Sequence, residues 1–224
     1  MRGAITVWSL HHRYMDADQV ATLRTLLSST GWLERAGVLG RALRTSTKSQ
    51  GGLLVVGTPS EEPWHVTAHL DEESRLADIP ELMPTLVRWA PPPGAPPHLA
   101  VSMERIEQAR RGETLFVVAE DAAPAPLLER VNDARHKNAT IVALDSGDDE
   151  LDGLAHESLT VPRQELATPE EWAGRAGLLN FDSAQHLVSA AAGTPDEFAG
   201  GRRGGGMRAK LARLLDTVAG TPAE

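Results

Sequence analysis

The chain has 224 residues, a formal net charge of −9, 41% hydrophobic residues and 24% charged residues. This length suits one globular domain with appendages, and the negative charge disfavours nucleic acid as a partner, because a phosphate backbone would repel it. No apolar run approaches the roughly 18 residues of a membrane-spanning helix, so no membrane association is expected, and the absence of cysteine excludes disulfides and thiolate metal sites.

Residues 1–14 are interpreted as an N-terminal extension outside the fold. Their apolar stretch is short and is followed by His11, His12 and Arg13, which is not the pattern of a secretory signal. A cytoplasmic location is therefore expected.

Two helices are predicted before the first strand. Asp16 or Asp18 can cap a helix that ends near Ser29, and a second helix covers residues 33–45. Apolar residues recur at helical spacing in both segments, so each helix is expected to bury one face.

The run LLVVG, Leu53 to Gly57, is apolar throughout, which predicts a central strand covered on both faces. Ser60 is expected to cap the helix that follows, with Pro63 tolerated in its first turn. An alternative remains open, because residues 63–70 also alternate apolar and polar side chains, as the second strand of a hairpin would.

Pro84 to Trp89 is predicted as the second strand. The segment that follows, residues 90–100, is rich in proline and can be neither a helix nor an inner strand. It is interpreted as a stiff connector, with a polyproline ligand at residues 91–97 as the alternative.

From residue 103 onward, helical and strand patterns alternate regularly. The predicted elements are a helix at 103–111, a strand from Thr114, a helix at 126–137, a strand from Ala139, a short helix at 149–155 and a strand at 157–162. Strands separated by about 10 to 15 helical residues imply right-handed crossovers. The sequence therefore predicts an α/β fold, a Rossmann-like three-layer domain with a five-stranded, mostly parallel sheet.

The C-terminal part of the chain changes in composition. A helix is predicted from Thr168, and Asp182 is expected to cap another at residues 183–192, which ends the α/β domain, 15–193. Residues 194–206 are predicted to be a glycine-rich linker, and residues 207–224 a tail whose amphipathic helix, 207–219, docks on this chain, a twin subunit or another protein.

Seven residues follow the carboxyl ends of predicted strands, where open parallel sheets bind ligands. They are Gly57, Thr58 and Ser60 after the first strand, Glu120 and Asp121 after the third, and Ser146 and Gly147 after the fourth. The first loop has neither GxGxxG nor P-loop spacing, so a dinucleotide or nucleoside-triphosphate site is not supported and no cofactor is expected.

The histidines are candidate metal ligands, and the paired acids are candidate acid–base groups. His65 and His69 would share a helix face, as zinc ligands do, but no HExxH motif surrounds them, and a solvated or packed pair is the preferred interpretation. His186 is interpreted as a packed side chain, and no metal is expected. Glu120 and Asp121 could act as acid and base, but a favourable charge at a helix start explains them more simply.

The order of elements resembles a SIS domain, the sugar-isomerase fold of phosphosugar isomerases, glucosamine synthases and sugar-responsive regulators, over about residues 20–192. The similarity is greatest in TLFVVAEDAAPAPLLERVNDARHKNATIVALDSGDDELDGLAHESLTVP, and the GTPS of residues 57–60 is similar to the family's Gly-Thr-x-Ser phosphate loop. The resemblance implies a sugar-phosphate-like ligand at these loops.

One departure from the SIS pattern bears on function. Sugar-phosphate-binding members carry Ser-x-Ser-Gly-x-Thr after the third strand, whereas this chain has AEDAAPAP, which places Glu120 and Asp121 where a dianion would sit. A like-charge pair at about 4 Å costs roughly 1 to 4 kcal/mol. We therefore predict a non-catalytic or vestigial SIS-like protein that binds a small ligand or a protein partner, as a homodimer. A sugar-phosphate isomerase and an adaptor that docks through residues 207–219 remain alternatives.

Overall fold

Five parallel strands form one sheet in the computed structural model, which describes residues 20–28, 31–162, 180–195 and 198. The strands are β1 (Leu53–Val56), β2 (Pro84–Leu86), β3 (Thr114–Ala119), β4 (Thr140–Asp145) and β5 (Glu157–Thr160), in the order β2-β1-β3-β4-β5. Every pairing is parallel. The predicted α/β class and five-stranded sheet are confirmed.

Helices cover both faces of this sheet. They are α1 (20–27), α2 (Trp32–Ser46), α3 (Trp64–Ala77), α4 (Glu104–Glu107), α5 (Ala125–His136), α6 (Asp149–Leu154) and α7 (Phe181–Gly193). One hydrophobic core joins α1, α2, α3 and α7 to one face, and a second core joins α4, α5 and α6 to the other. The result is the predicted three-layer arrangement.

Alternation along the inner strands divides the apolar residues between the two cores. In β1, Leu53 and Val55 belong to the core beneath α3 and α7, whereas Leu54 and Val56 belong to the core beneath α5. All four are fully buried. A strand covered on both faces needs an uninterrupted apolar run, and LLVV provides it.

The segment after β1 is a helix, so the hairpin alternative is wrong. Trp64–Ala77 forms α3, and β1 pairs with β2 in parallel. Ser60 does not cap this helix, because Pro63 occupies the N-cap position without a side-chain cap bond. The Ser60 hydroxyl instead lies 2.9 Å from the Thr58 hydroxyl.

Other element boundaries also differ from prediction. The helix predicted at 103–111 is a single turn, α4, which ends at Glu107, and Gly112 turns the chain before β3 with a φ of 87°. The second strand ends at Leu86, and Arg88 makes an isolated parallel bridge with Ser102. Asn180, not Asp182, caps α7: its side-chain oxygen accepts from the Ser183 amide at 2.7 Å.

Several sequence predictions fall outside the described residues. They concern the extension at 1–14, the helix from Thr168, most of the linker at 194–206 and the tail at 207–224. Phe198 is described, and it is buried against α2 at Gly37. Within the described ranges no helix has both the length and the apolar character needed to cross a membrane.

Helices α2 and α7 approach closely at Gly40. A Cβ atom there would come within 2.6 Å of the Ala192 amide nitrogen and 2.7 Å of the Ala191 Cβ. One turn further along α2, Arg44 donates to the Gly193 carbonyl at 3.1 Å and so caps the end of α7. The close approach at Gly40 and the Arg44 bond together fix the position of α7 against α2.

Replacement of Gly40 by Ala is expected to lower the free energy of unfolding by about 1–3 kcal/mol, because the added methyl overpacks a closed backbone contact. Gly153→Ala on α6 is the matched control, since its Cβ would meet nothing within 4 Å. Thermal or urea unfolding measures both variants, and equal stability of the two would contradict the close α2–α7 contact.

Candidate functional site

The candidate site lies where the order of the sheet reverses. β1 is flanked by β2 on one side and β3 on the other, so the loops after β1 and β3 leave adjacent strands at the same edge. Doubly wound sheets bind ligands at this reversal point. Five of the seven predicted site residues occupy these two loops: Gly57, Thr58, Ser60, Glu120 and Asp121.

A chain of hydrogen bonds links the two loops. Ser60 Oγ donates to Asp121 Oδ2 at 3.4 Å, and the Thr58 and Ser60 hydroxyl oxygens are 2.9 Å apart. An ionised carboxylate can only accept hydrogen bonds, so the Ser60 proton points to Asp121 and Thr58 donates to Ser60. The Ser60 hydroxyl proton is therefore directed towards the second loop, and the Thr58 proton towards Ser60.

Gly57 permits the tight turn that starts the first loop. A Cβ at this position would overlap the Glu61 carbonyl oxygen and lie 2.8 Å from Pro63 Cδ. The Gly57 carbonyl accepts a hydrogen bond of 2.9 Å from the Trp89 indole nitrogen, which follows β2. The turn at Gly57 is thus in close contact with the residues before α3 and hydrogen-bonded to the segment after β2.

A salt bridge also fixes the loop after β1 to the segment after β2. Arg88 pairs with both carboxylate oxygens of Glu62, with Nη2 to Oε2 at 2.8 Å and Nε to Oε1 at 3.1 Å. Trp64 Nε1 donates to the same carboxylate at 2.8 Å, and the Arg88 guanidinium lies 4.7 Å from the Trp64 ring centroid. This bidentate pair is partly buried, so it orients the first turn of α3.

Carboxylates give this edge a negative potential. Partial burial raises the pKa of Glu61, and the nearby charges of Glu120, Asp182 and Asp121 raise it further. Asp182 belongs to α7, so three separate segments of the chain contribute acids. Sequence reasoning missed Glu61 and Asp182 because their proximity depends on how α7 packs beside α3.

Ser146 and Gly147 lie in the next loop, after β4. The fully buried Asp145 precedes them, and its Oδ1 accepts from the Gly147 amide at 2.7 Å. Burial raises the pKa of Asp145 despite this bond. Asp148 Oδ2 accepts from the Ala123 amide at 2.7 Å, which ties this loop to the one after β3. The loop that carries Ser146 and Gly147 is thus connected to the loop after β3 through Asp148 and Ala123.

Three histidines converge beside this edge. His65 and His69 on α3 meet His186 on α7, with ring centroids 4.4 to 4.6 Å apart. One nitrogen from each ring lies within 4.8 Å of the others, so the three could hold a metal ion. The four-residue spacing on α3 was visible in the sequence, whereas His186 lies more than 100 positions away and joins the cluster only through tertiary packing.

Neither a protein-family model nor a curated protein matches this sequence. Similar solved structures include a candidate sugar binding protein from Salmonella typhimurium LT2, at 14% identity and TM-score 0.47, covering 94% of this chain and 56% of that chain. The Vibrio vulnificus NanR protein complexed with ManNAc-6P is similar at 12% identity and TM-score 0.41, covering 96% of this chain and 72% of that one.

A candidate phosphosugar isomerase from Silicibacter pomeroyi DSS-3 is similar at 17% identity and TM-score 0.44, covering 92% of this chain and 54% of that chain. The chain thus spans little more than half the length of the Salmonella and Silicibacter proteins. These descriptions concern those proteins alone.

The charge of Glu61 is expected to destabilise the fold at neutral pH. A raised pKa means that the folded chain holds the proton more tightly than the unfolded chain does, so stability falls as pH rises above 4.5, the ordinary value. Glu61→Gln should therefore raise the melting temperature at pH 7 and lose that advantage below pH 4.5. Exposed Glu129 on α5 provides the control, Glu129→Gln. A lower melting temperature for Glu61→Gln at pH 7 would show that the ionised carboxylate stabilises the fold.

Proposed function

We propose that this chain is a non-catalytic, SIS-like protein that binds a small ligand of the sugar class at the β1–β3 edge. The ligand would be rich in hydroxyl or amino groups and would lack a phosphate against the first loop. The bond from Ser60 to Asp121 is the observation that supports this choice most directly.

Hydrogen-bond direction favours a ligand that donates. The Thr58 and Ser60 protons are committed within the site, and the carboxylates of Glu120 and Asp121 accept only. Sugar hydroxyls and an ammonium group are donors that suit such an edge, and hydrogen bonds to a charged acceptor are the stronger kind. A phosphate bound by the Thr58 and Ser60 hydroxyls would need their protons, which this arrangement uses internally.

Charge favours the same class of ligand. Burial raises the pKa of Glu61 most, and the nearby charges of Glu120, Asp182 and Asp121 raise it further, so the acids at this edge repel one another. A phosphate dianion placed there would add to that repulsion, whereas an amino sugar would relieve it. The ligand class most compatible with the edge is therefore a neutral or amino sugar.

The second candidate function is a sugar-phosphate isomerase or related sugar-phosphate-processing enzyme. It is favoured by the Gly57 turn, which resembles the family's phosphate loop, and by Glu61, whose raised pKa suits a group that exchanges protons with a substrate. The two candidate functions require different ligands, because the enzyme must bind a sugar phosphate.

The remaining expectations belong to the same proposal. A homodimer through the flanking helices is supported by the exposed side chains of Leu26 on α1 and Val38 on α2. A cytoplasmic location and a role for residues 207–219 in docking on a partner stay predictions from the sequence.

Thermal shift and calorimetry with glucosamine, N-acetylglucosamine, glucosamine 6-phosphate and inorganic phosphate would test the ligand class. Glucosamine is expected to raise the melting temperature most, because a ligand that binds only the folded chain stabilises it by an amount that grows with the logarithm of its affinity. Asp121→Asn should weaken glucosamine binding about tenfold, in line with the loss of a charge-assisted hydrogen bond.

Asp133→Asn provides the matched control, because Asp133 is exposed in the last turn of α5. Its affinity for glucosamine should equal that of the wild type. Tighter binding of glucosamine 6-phosphate than of glucosamine by the wild-type chain would reject the proposal and favour the enzyme.

A further inference from the structure

Three imidazole rings from two helices meet at one point beside the sugar-class site. His65 and His69 are one turn apart on α3, and His186 reaches them from the second turn of α7. The Nε2 atoms of His65 and His186 are 2.9 Å apart. One ring nitrogen from each histidine lies within 4.8 Å of the other two.

The two helices hold these rings on a rigid support. Val66 and Leu70 of α3 are fully buried in the same core as Leu187 and Val188 of α7. His186 itself is 5% exposed, and its backbone carbonyl accepts from Ser189 Oγ at 3.0 Å. Helix positions with buried neighbours fix ligand geometry better than loop positions do.

The three imidazole nitrogens are close enough together to be ligands of one transition-metal ion. Zinc binds imidazole nitrogen at about 2.0 to 2.1 Å, which places tetrahedral ligands about 3.3 Å from one another. The nitrogens, which lie within 4.8 Å of one another, reach this spacing only if the rings turn about χ2, a broad torsion in histidine. Imidazole is a favoured ligand for zinc, copper and nickel, and three protein ligands leave a fourth position open.

The surroundings of the cluster also suit a cation. Asp182 lies four residues before His186 on the same face of α7, and its charge interacts with Glu61 before α3. The negative charge of Asp182, one helical turn before His186, raises the local concentration of a divalent ion. His65 is exposed, so the cluster has an open side for entry.

We propose that His65, His69 and His186 bind one divalent transition-metal ion, with Zn²⁺ as the reference ion. The fourth coordination position then holds water or a donor atom of a bound small molecule. This proposal does not rest on the sugar-class ligand, and titration with the metal alone tests it.

Full-length protein stripped with a chelator would be titrated with Zn²⁺ in competition with a chromophoric chelator. The wild type is expected to bind one Zn²⁺ per chain at this site and to melt at a higher temperature when loaded. His65→Ala and His69→Ala should each weaken binding tenfold or more, since even outer-shell changes around a metal commonly cost about 10- to 100-fold.

Two controls separate this site from other histidines. His98→Ala removes an exposed histidine of the Pro97–Leu99 turn, and the double change His11→Ala, His12→Ala removes the adjacent pair near the N-terminus. Both variants should bind Zn²⁺ as the wild type does. His65→Ala keeps the test valid if variants of the buried His186 fail to fold.

Cobalt provides a second readout that does not depend on affinity. Co²⁺ bound by the three imidazoles in a four-coordinate site should give the visible absorption bands of tetrahedral cobalt, and His69→Ala should abolish them. The proposal is overturned if the wild type binds no Zn²⁺, or if binding persists in His65→Ala and His69→Ala.

Discussion

Four buried aliphatic residues, Leu53–Val56, form the strand on which the fold and the candidate site both depend. β1 pairs with β2 on one side and with β3 on the other, so the order of the sheet reverses beside it. That reversal places the loop after β1 next to the loop after β3 and directs α3 and α5 to opposite faces. The bond from Ser60 to Asp121 is a direct consequence of this pairing.

Helix α7 connects the site to the rest of the domain. It packs on α2 through the close contact at Gly40, and the same packing brings Asp182 near Glu61 and His186 near His65. The acidic edge and the histidine cluster are therefore neighbours because two helix N-termini lie side by side. A cation at the histidines would offset part of the repulsion among the acids, so the two features are electrostatically compatible.

Local patterns in the sequence predicted the sheet, five strands and both neighbouring site loops. The apolar runs of β1, β3 and β4 carried that prediction, because buried parallel strands require them. Two helix caps were predicted wrongly, although the contacts concerned are local: Ser60 pairs with Thr58 rather than capping α3, and Asn180 rather than Asp182 caps α7. The sequence could not predict that His186 lies beside His65 and His69, since spacing along the chain does not show which helices pack together.

A crystal structure of the full chain soaked with glucosamine tests the central claim most directly, because it locates the ligand atom by atom. We expect the amino group or a hydroxyl within hydrogen-bonding distance of Asp121 or Glu120, with the Ser60–Asp121 bond retained. A sugar bound away from the loops after β1 and β3, with that edge occupied by solvent, would contradict the assignment of the site.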